Sequence, residues 1–107
     1  MGAPDAIPPP LGLSREAARL WTVYHSAWEI DEHGAVVLGL ALEAFDRMRA
    51  AQREIERRGW KPGPKGSPSP FNVERDARRD VAKLLRTIGL SLAVAPAAGN
   101  AARGNRR

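Results

Sequence analysis

Arg75, Arg79, Lys83 and Arg86 recur at intervals of four, four and three residues. On a helix that spacing lines the four cations along one face, with Arg78 at its flank. Lysine and arginine neutralise nucleic-acid phosphates and release their counterions, so the stripe points to salt-sensitive contact that does not depend on base sequence. Lys61 and Lys65, just upstream, carry the same charge. Glu74, Asp76 and Asp80 partly neutralise the first half of the stripe. For any one of these cations, a solvated helix face with internal ion pairs is the competing reading.

Other chemistries are poorly served. Gly63-Pro64-Lys65-Gly66-Ser67 lacks the spacing of a phosphate-binding loop, and no buried strand precedes it. His25 and His33 stand eight residues apart across a predicted turn, which matches no metal-ligand spacing, and they read as solvated or capping side chains. The carboxylates fall mostly into helix-surface pairs, Glu43 with Arg47 and Glu54 with Arg58, rather than acid/base dyads. Without cysteine there is no thiol nucleophile, thiolate zinc site or disulfide framework. No nucleophile is accompanied by a base, so the expectation is a protein that is not an enzyme, with no cofactor and no metal.

Three helices would position these residues. Residues 1–12, with Pro4 and Pro8-Pro9-Pro10, read as a flexible extended leader. Ser14 is a good N-cap for a helix over about 14–28, whose face carries Leu13, Ala17, Leu20, Trp21, Tyr24 and Trp28. Asp31 caps a second helix over about 32–58, roughly 40 Å long at 1.5 Å per residue, and Gly59 stops it. Residues 59–71 hold four prolines and three glycines and read as a non-helical loop, with a small β-hairpin as the other reading. Asn72 is the expected cap of a third helix over about 72–88, with the stripe Val73, Ala77, Val81, Leu84, Leu85 and Ile88. Trp21 and Trp28 belong to the core. Trp60 either folds back over a helix end or offers a stacking platform. Residues 91–107 read as a flexible basic tail. The fold class is all-α: a helical hairpin built on one long central helix, with a shorter helix on either side of it in sequence and a single helical domain over 13–90.

The 107 residues carry a net charge of +5. It is unevenly spread, at −1 over residues 1–30, −1 over 31–58, +4 over 59–90 and +3 over 91–107. No apolar run approaches a membrane span and the start does not resemble a signal peptide, which favours a cytosolic protein. The stretch 35–42 has no charge on any side of its helix, and two short helices cover only part of such a surface. Either a second copy covers the remainder, with Val36, Val37, Leu38, Leu40, Leu42 and Phe45 as interface candidates, or the leader or tail folds over it. The second helix offers too few polar side chains in its first turns to serve as a base-reading recognition helix.

The order of landmarks resembles the small subunit of phage terminases. A Pro-rich leader precedes Leu13-Ser14 and Leu20-Trp21. Ile30-Asp31 then leads a long helix holding Glu43-Ala44-Phe45-Asp46-Arg47. After Gly59 come Pro68-Ser69-Pro70, Glu74-Arg75-Asp76-Ala77-Arg78, Leu84-Leu85-Arg86 and Gly89-Leu90. The similarity spans about residues 8–90. It implies a ring-forming, mainly helical protein of the bacterial host cytoplasm that engages double-stranded viral DNA and regulates the large terminase subunit, which carries the ATPase and nuclease. It names no DNA-contact residue, so the candidates Lys61, Lys65, Arg75, Arg78, Arg79, Lys83 and Arg86 come from charge alone, with Arg103, Arg106 and Arg107 of the tail as further sources. The reading from a different class is a helical-hairpin protein-interaction module that ignores DNA.

Overall fold

The computed structural model describes residues 7–59 and 65–92. Among them lie three helices, α1 (Arg15–Ala27), α2 (Glu32–Arg58) and α3 (Pro70–Thr87), and no strand. The fold is all-α, as expected. α2 is the spine: α1 packs against it on one side and α3 runs along it on the other. Both run antiparallel to α2, since Ser14 reaches Asp46 while Trp21 sits near Gly39, and Gln52 meets Glu74 while Ile88 lies beside Gly34.

Each start and stop has a local cause. The Ser14 side chain accepts from the amide of Ala17, and that of Asp31 from Gly34 at 2.7 Å. Both satisfy amides that a helix N-terminus leaves without partners. α2 ends at Gly59, whose φ of 61° puts it in the region that glycine enters without steric cost. α3 begins two residues before the expected Asn72. Ser69 is the cap, and Pro70 opens the helix, where its missing amide costs nothing and its fixed φ is already helical. Pro70 and Phe71 are therefore helical rather than loop, and the first turn of α3 holds no acidic residue. Residues 65–69 form a turn and no strand; Trp60, Lys61 and the rest of 60–64 lie outside the described residues.

The core is the shared stripe of the three helices. Ala17, Trp21, Tyr24 and Trp28 from α1 and its end meet Leu38, Leu42, Phe45 and Met48 from α2, and Ala77, Val81 and Leu85 close it from α3. The chain after α3 seals the far end: Leu90 is buried, and the Tyr24 hydroxyl donates to the Ser91 carbonyl at 3.1 Å. Burial pushes the Tyr24 phenol up to about 12, because the phenolate would lose its hydration. Residues 7–12 are not a free leader. Trp21 Nε1–H donates to the Ile7 carbonyl at 2.8 Å, and Pro10 lies over Gly39. Polar links stitch the outer rims. Ser14 donates through its amide (2.8 Å) and hydroxyl (2.5 Å) to the Asp46 carboxylate, and Arg49 forms a bidentate pair with Glu16.

Two predictions follow from these contacts. A raised phenol pKa leaves stability unchanged below the free-phenol value near 10 and removes it progressively as the pH climbs towards 12. The urea midpoint should therefore fall across that interval. Tyr24→Phe should lose this decline and start lower, by about 1 kcal/mol for the lost hydrogen bond. Asp46→Ala should cost about 1 kcal/mol in urea denaturation, because it strips the buttress from the cap of α1.

Candidate nucleic-acid interface

α3 is amphipathic because its apolar residues return every three or four positions. Ala77, Val81 and Leu85 are buried, with Leu84 and Ile88 partly so. At about 100° per residue, Arg79 and Lys83 point about 160° and 200° away from Val81, straight out from the core. Arg75, Arg78, Arg79, Lys83 and Arg86 are all exposed. The expected stripe is thus present on one outward face.

The acids on α3 are each engaged, and this sorts the cations. Glu74 accepts from Gln52 of α2 and from Arg78 at 2.9 Å. Those two hydrogen bonds, Gln52 first, hold its carboxyl below the usual carboxylate range. Asp76 lies 3.6 Å from Arg75, and Asp80 lies 3.8 Å from Arg47 of α2. Arg79, Lys83 and Arg86 form no ion pair or side-chain hydrogen bond among the described residues. The partial neutralisation of the stripe therefore falls on Arg75 and Arg78. Lys65 is exposed in the turn before α3, at a distance from the stripe set by Gly66 to Ser69. Lys61, Arg103, Arg106 and Arg107 lie outside the described residues.

The interface candidates on α2 divide. Leu38 and Leu42 are fully buried and Phe45 nearly so, all in the chain's own core beneath α1 and α3. They are not available to a neighbour, which corrects half of the expected set. Helices on two sides of α2 take the residues that share its inner stripe, and an apolar stretch on all sides does not distinguish inner from outer positions. Val36 is 64% exposed and Leu40 47%, with Val37 partly covered. Between ridge and core, Gly39 lies beneath Pro10 and beside Trp21, and Ala35 lines the same opening. Residues 7–12 cover one side of the stretch and leave Val36 and Leu40 exposed.

His25 is not a solvated side chain. Its ring lies 4.4 Å from that of Trp21, and Nδ1–H donates to the Trp21 carbonyl at 3.0 Å. His33 is exposed. No cluster of three or more histidine, cysteine or carboxylate side chains able to hold a metal ion occurs among the described residues. Glu54 pairs with Arg58, as expected, and also with Arg57, whose hydrogen bond chiefly lowers the Glu54 pKa. Arg47 turns instead to Asp80 across the helix pair.

Sequence reasoning missed the Asp46 buttress. The docking of Pro10 over Gly39 falls instead under its second reading of residues 35–42, in which the leader folds over them, and a mid-helix position without Cβ invites that approach. No helix among the described residues is long and apolar enough to cross a membrane. No family model matches the chain, and neither the curated proteins nor the solved structures include a match to it.

Proposed function

We propose that this chain is a non-enzymatic, self-associating protein that binds double-stranded DNA through its phosphates. In that reading it acts as the small subunit of a phage terminase in the bacterial host, beside a large subunit that supplies the ATPase and nuclease. The observation that carries the DNA part is the outer face of α3, where Arg79, Lys83 and Arg86 stand exposed and unpaired among the described residues. Paired cations give back little on binding phosphate, because the internal partner must first be released. Unpaired ones exchange only water and counterions.

Self-association is supported by the Val36–Leu40 ridge, which leaves two large apolar side chains in water one turn apart on a rigid helix. Repetition matters to the DNA reading as well. Three free cations on a single copy bind phosphate weakly, whereas copies related by rotation present the same stripe as a continuous positive band. The resemblance in landmark order over residues 8–90 supplies the terminase assignment, including the large subunit as partner.

The test is fluorescence anisotropy of a short labelled duplex at ~50 mM salt and upward. Binding should weaken steeply with salt, and changing Arg75, Arg79 and Lys83 to Ala should reduce the slope of log K against log salt by about two, one each for the unpaired Arg79 and Lys83, since Arg75 is already paired with Asp76. Absence of binding at the lowest salt, or an unchanged slope in the triple variant, overturns the DNA reading and leaves a helical interaction module.

A further inference from the structure

Two of the apolar surfaces left exposed among the described residues differ in charge. The first is the ridge on α2. Glu32, Val36, Leu40 and Glu43 follow one another at intervals of four, four and three residues, all exposed. The two apolar side chains are thus bracketed by carboxylates about 16 Å apart along the axis. Neither carboxylate has a cationic partner among the described residues. Arg47, the next residue along this face, is drawn aside towards Asp80.

The second is a groove of about 370 Å³ between α3 and the chain that follows it. Val81, Ala82, Leu90 and Leu92 line it, and Arg78 and Arg86 stand at its ends. Ala82 is exposed midway between the two arginines, which lie about 12 Å apart along α3. A small side chain there opens the helix surface where long neighbours would otherwise fill it. Arg86 has no carboxylate partner among the described residues, and Arg78 shares Glu74.

We propose that the α2 ridge of one copy seats in the α3 groove of the next, Val36 and Leu40 over Ala82 and Leu90, with Glu32 and Glu43 meeting Arg78 and Arg86. This rests on the self-association reading above and gives it an orientation. The alternative pairings between copies are disfavoured by charge. Ridge against ridge sets carboxylates against carboxylates, and groove against groove sets guanidiniums against guanidiniums, in either helix direction. Like charges at a contact exclude a partner more strongly than exposed opposite charges attract one. The contact therefore joins two different surfaces. A contact of that kind repeats head to tail, closing into a ring when the rotation allows it and growing as a filament otherwise. Apolar burial supplies the affinity, and the charges choose the partner surface.

The pairing also divides the basic residues of α3. Arg78 and Arg86 line the groove, so the contact draws Arg86 out of the free set, whereas Arg79 and Lys83 do not line it and stay free for phosphate. Assembly and DNA contact then use neighbouring strips of one helix.

Charge exchange tests the proposal, read by size-exclusion chromatography with light scattering. Wild-type protein should be larger than a monomer. The Glu32→Lys, Glu43→Lys chain and the Arg78→Glu, Arg86→Glu chain should each run as folded monomers, verified by circular dichroism. Mixed in equal amounts they should assemble, because each ridge then meets a groove of opposite sign. Should the groove variant not fold, Val36→Gln with Leu40→Gln serves in its place. Both residues are already exposed, and the change should abolish assembly with no loss of helix. A monomeric wild type overturns the self-association reading and this contact with it. An assembling wild type whose variants also assemble singly, or whose mixture stays monomeric, overturns this contact alone.

Discussion

Burial of one stripe of α2 is the interaction on which the rest depends. Among the described residues, Leu38, Ala41, Leu42, Phe45 and Met48 of α2 share one apolar cluster with the buried faces of α1 and α3. Neither outer helix has a core of its own. Tyr24, Leu38, Leu42, Val81 and Leu85, one or two from each helix, are almost completely removed from water, and each such side chain contributes on the order of 2 kcal/mol by its burial. The rim contacts add direction more than energy, since exposed pairs such as Arg49 with Glu16 are worth well under that. Asp46 is the exception in kind. It satisfies the amide and hydroxyl of Ser14, so the start of α1 is tied to a fixed point on α2.

Because that stripe runs the length of a straight helix, the orientation of every other face of α2 and α3 is set by it. On the side of α2 nearest Trp21 of α1, Pro10 lies over Gly39, and Val36 and Leu40 along the same opening are left exposed. On α3 the same logic turns Arg79 and Lys83 outward. The free cations owe their freedom to the fold as well. Arg47 takes Asp80 and Gln52 takes Glu74, so two of the three acids of α3 are drawn towards α2 and away from the outer stripe.

The helices, their number and their inner faces were legible because they rest on periodicity and capping, which are local. Ser14, Asp31, Gly59 and Gly89 each mark a boundary within a residue or so. The start of α3 was misplaced because proline was read as a breaker, and at the first helical position it is instead compatible with the helix. The basic stripe was legible for the same local reason. Which of its members are paired was not, because Arg47 with Asp80 and Gln52 with Glu74 join residues more than twenty positions apart. The division of residues 35–42 into core and ridge was also beyond pattern alone. Every position there is apolar or glycine, so only the placement of α1, α3 and residues 7–12 decides that Leu38 and Leu42 turn inward and Val36 and Leu40 outward.

Charge along the chain takes on a different meaning with the fold in place. Residues 81–107 contain five basic side chains and no acidic one, so they account for the whole +5, and residues 1–80 are balanced. Within the balanced part, the acids are spent unequally. Asp46, Glu16, Glu54 and Glu74 tie the helices together or brace their surfaces, whereas Glu32 and Glu43 flank the apolar ridge with no cationic partner among the described residues. Two carboxylates beside an exposed Val–Leu pair keep that face soluble in a single copy and would hinder the approach of DNA to it. Their placement is useful if the ridge must reject other ridges and accept a basic groove.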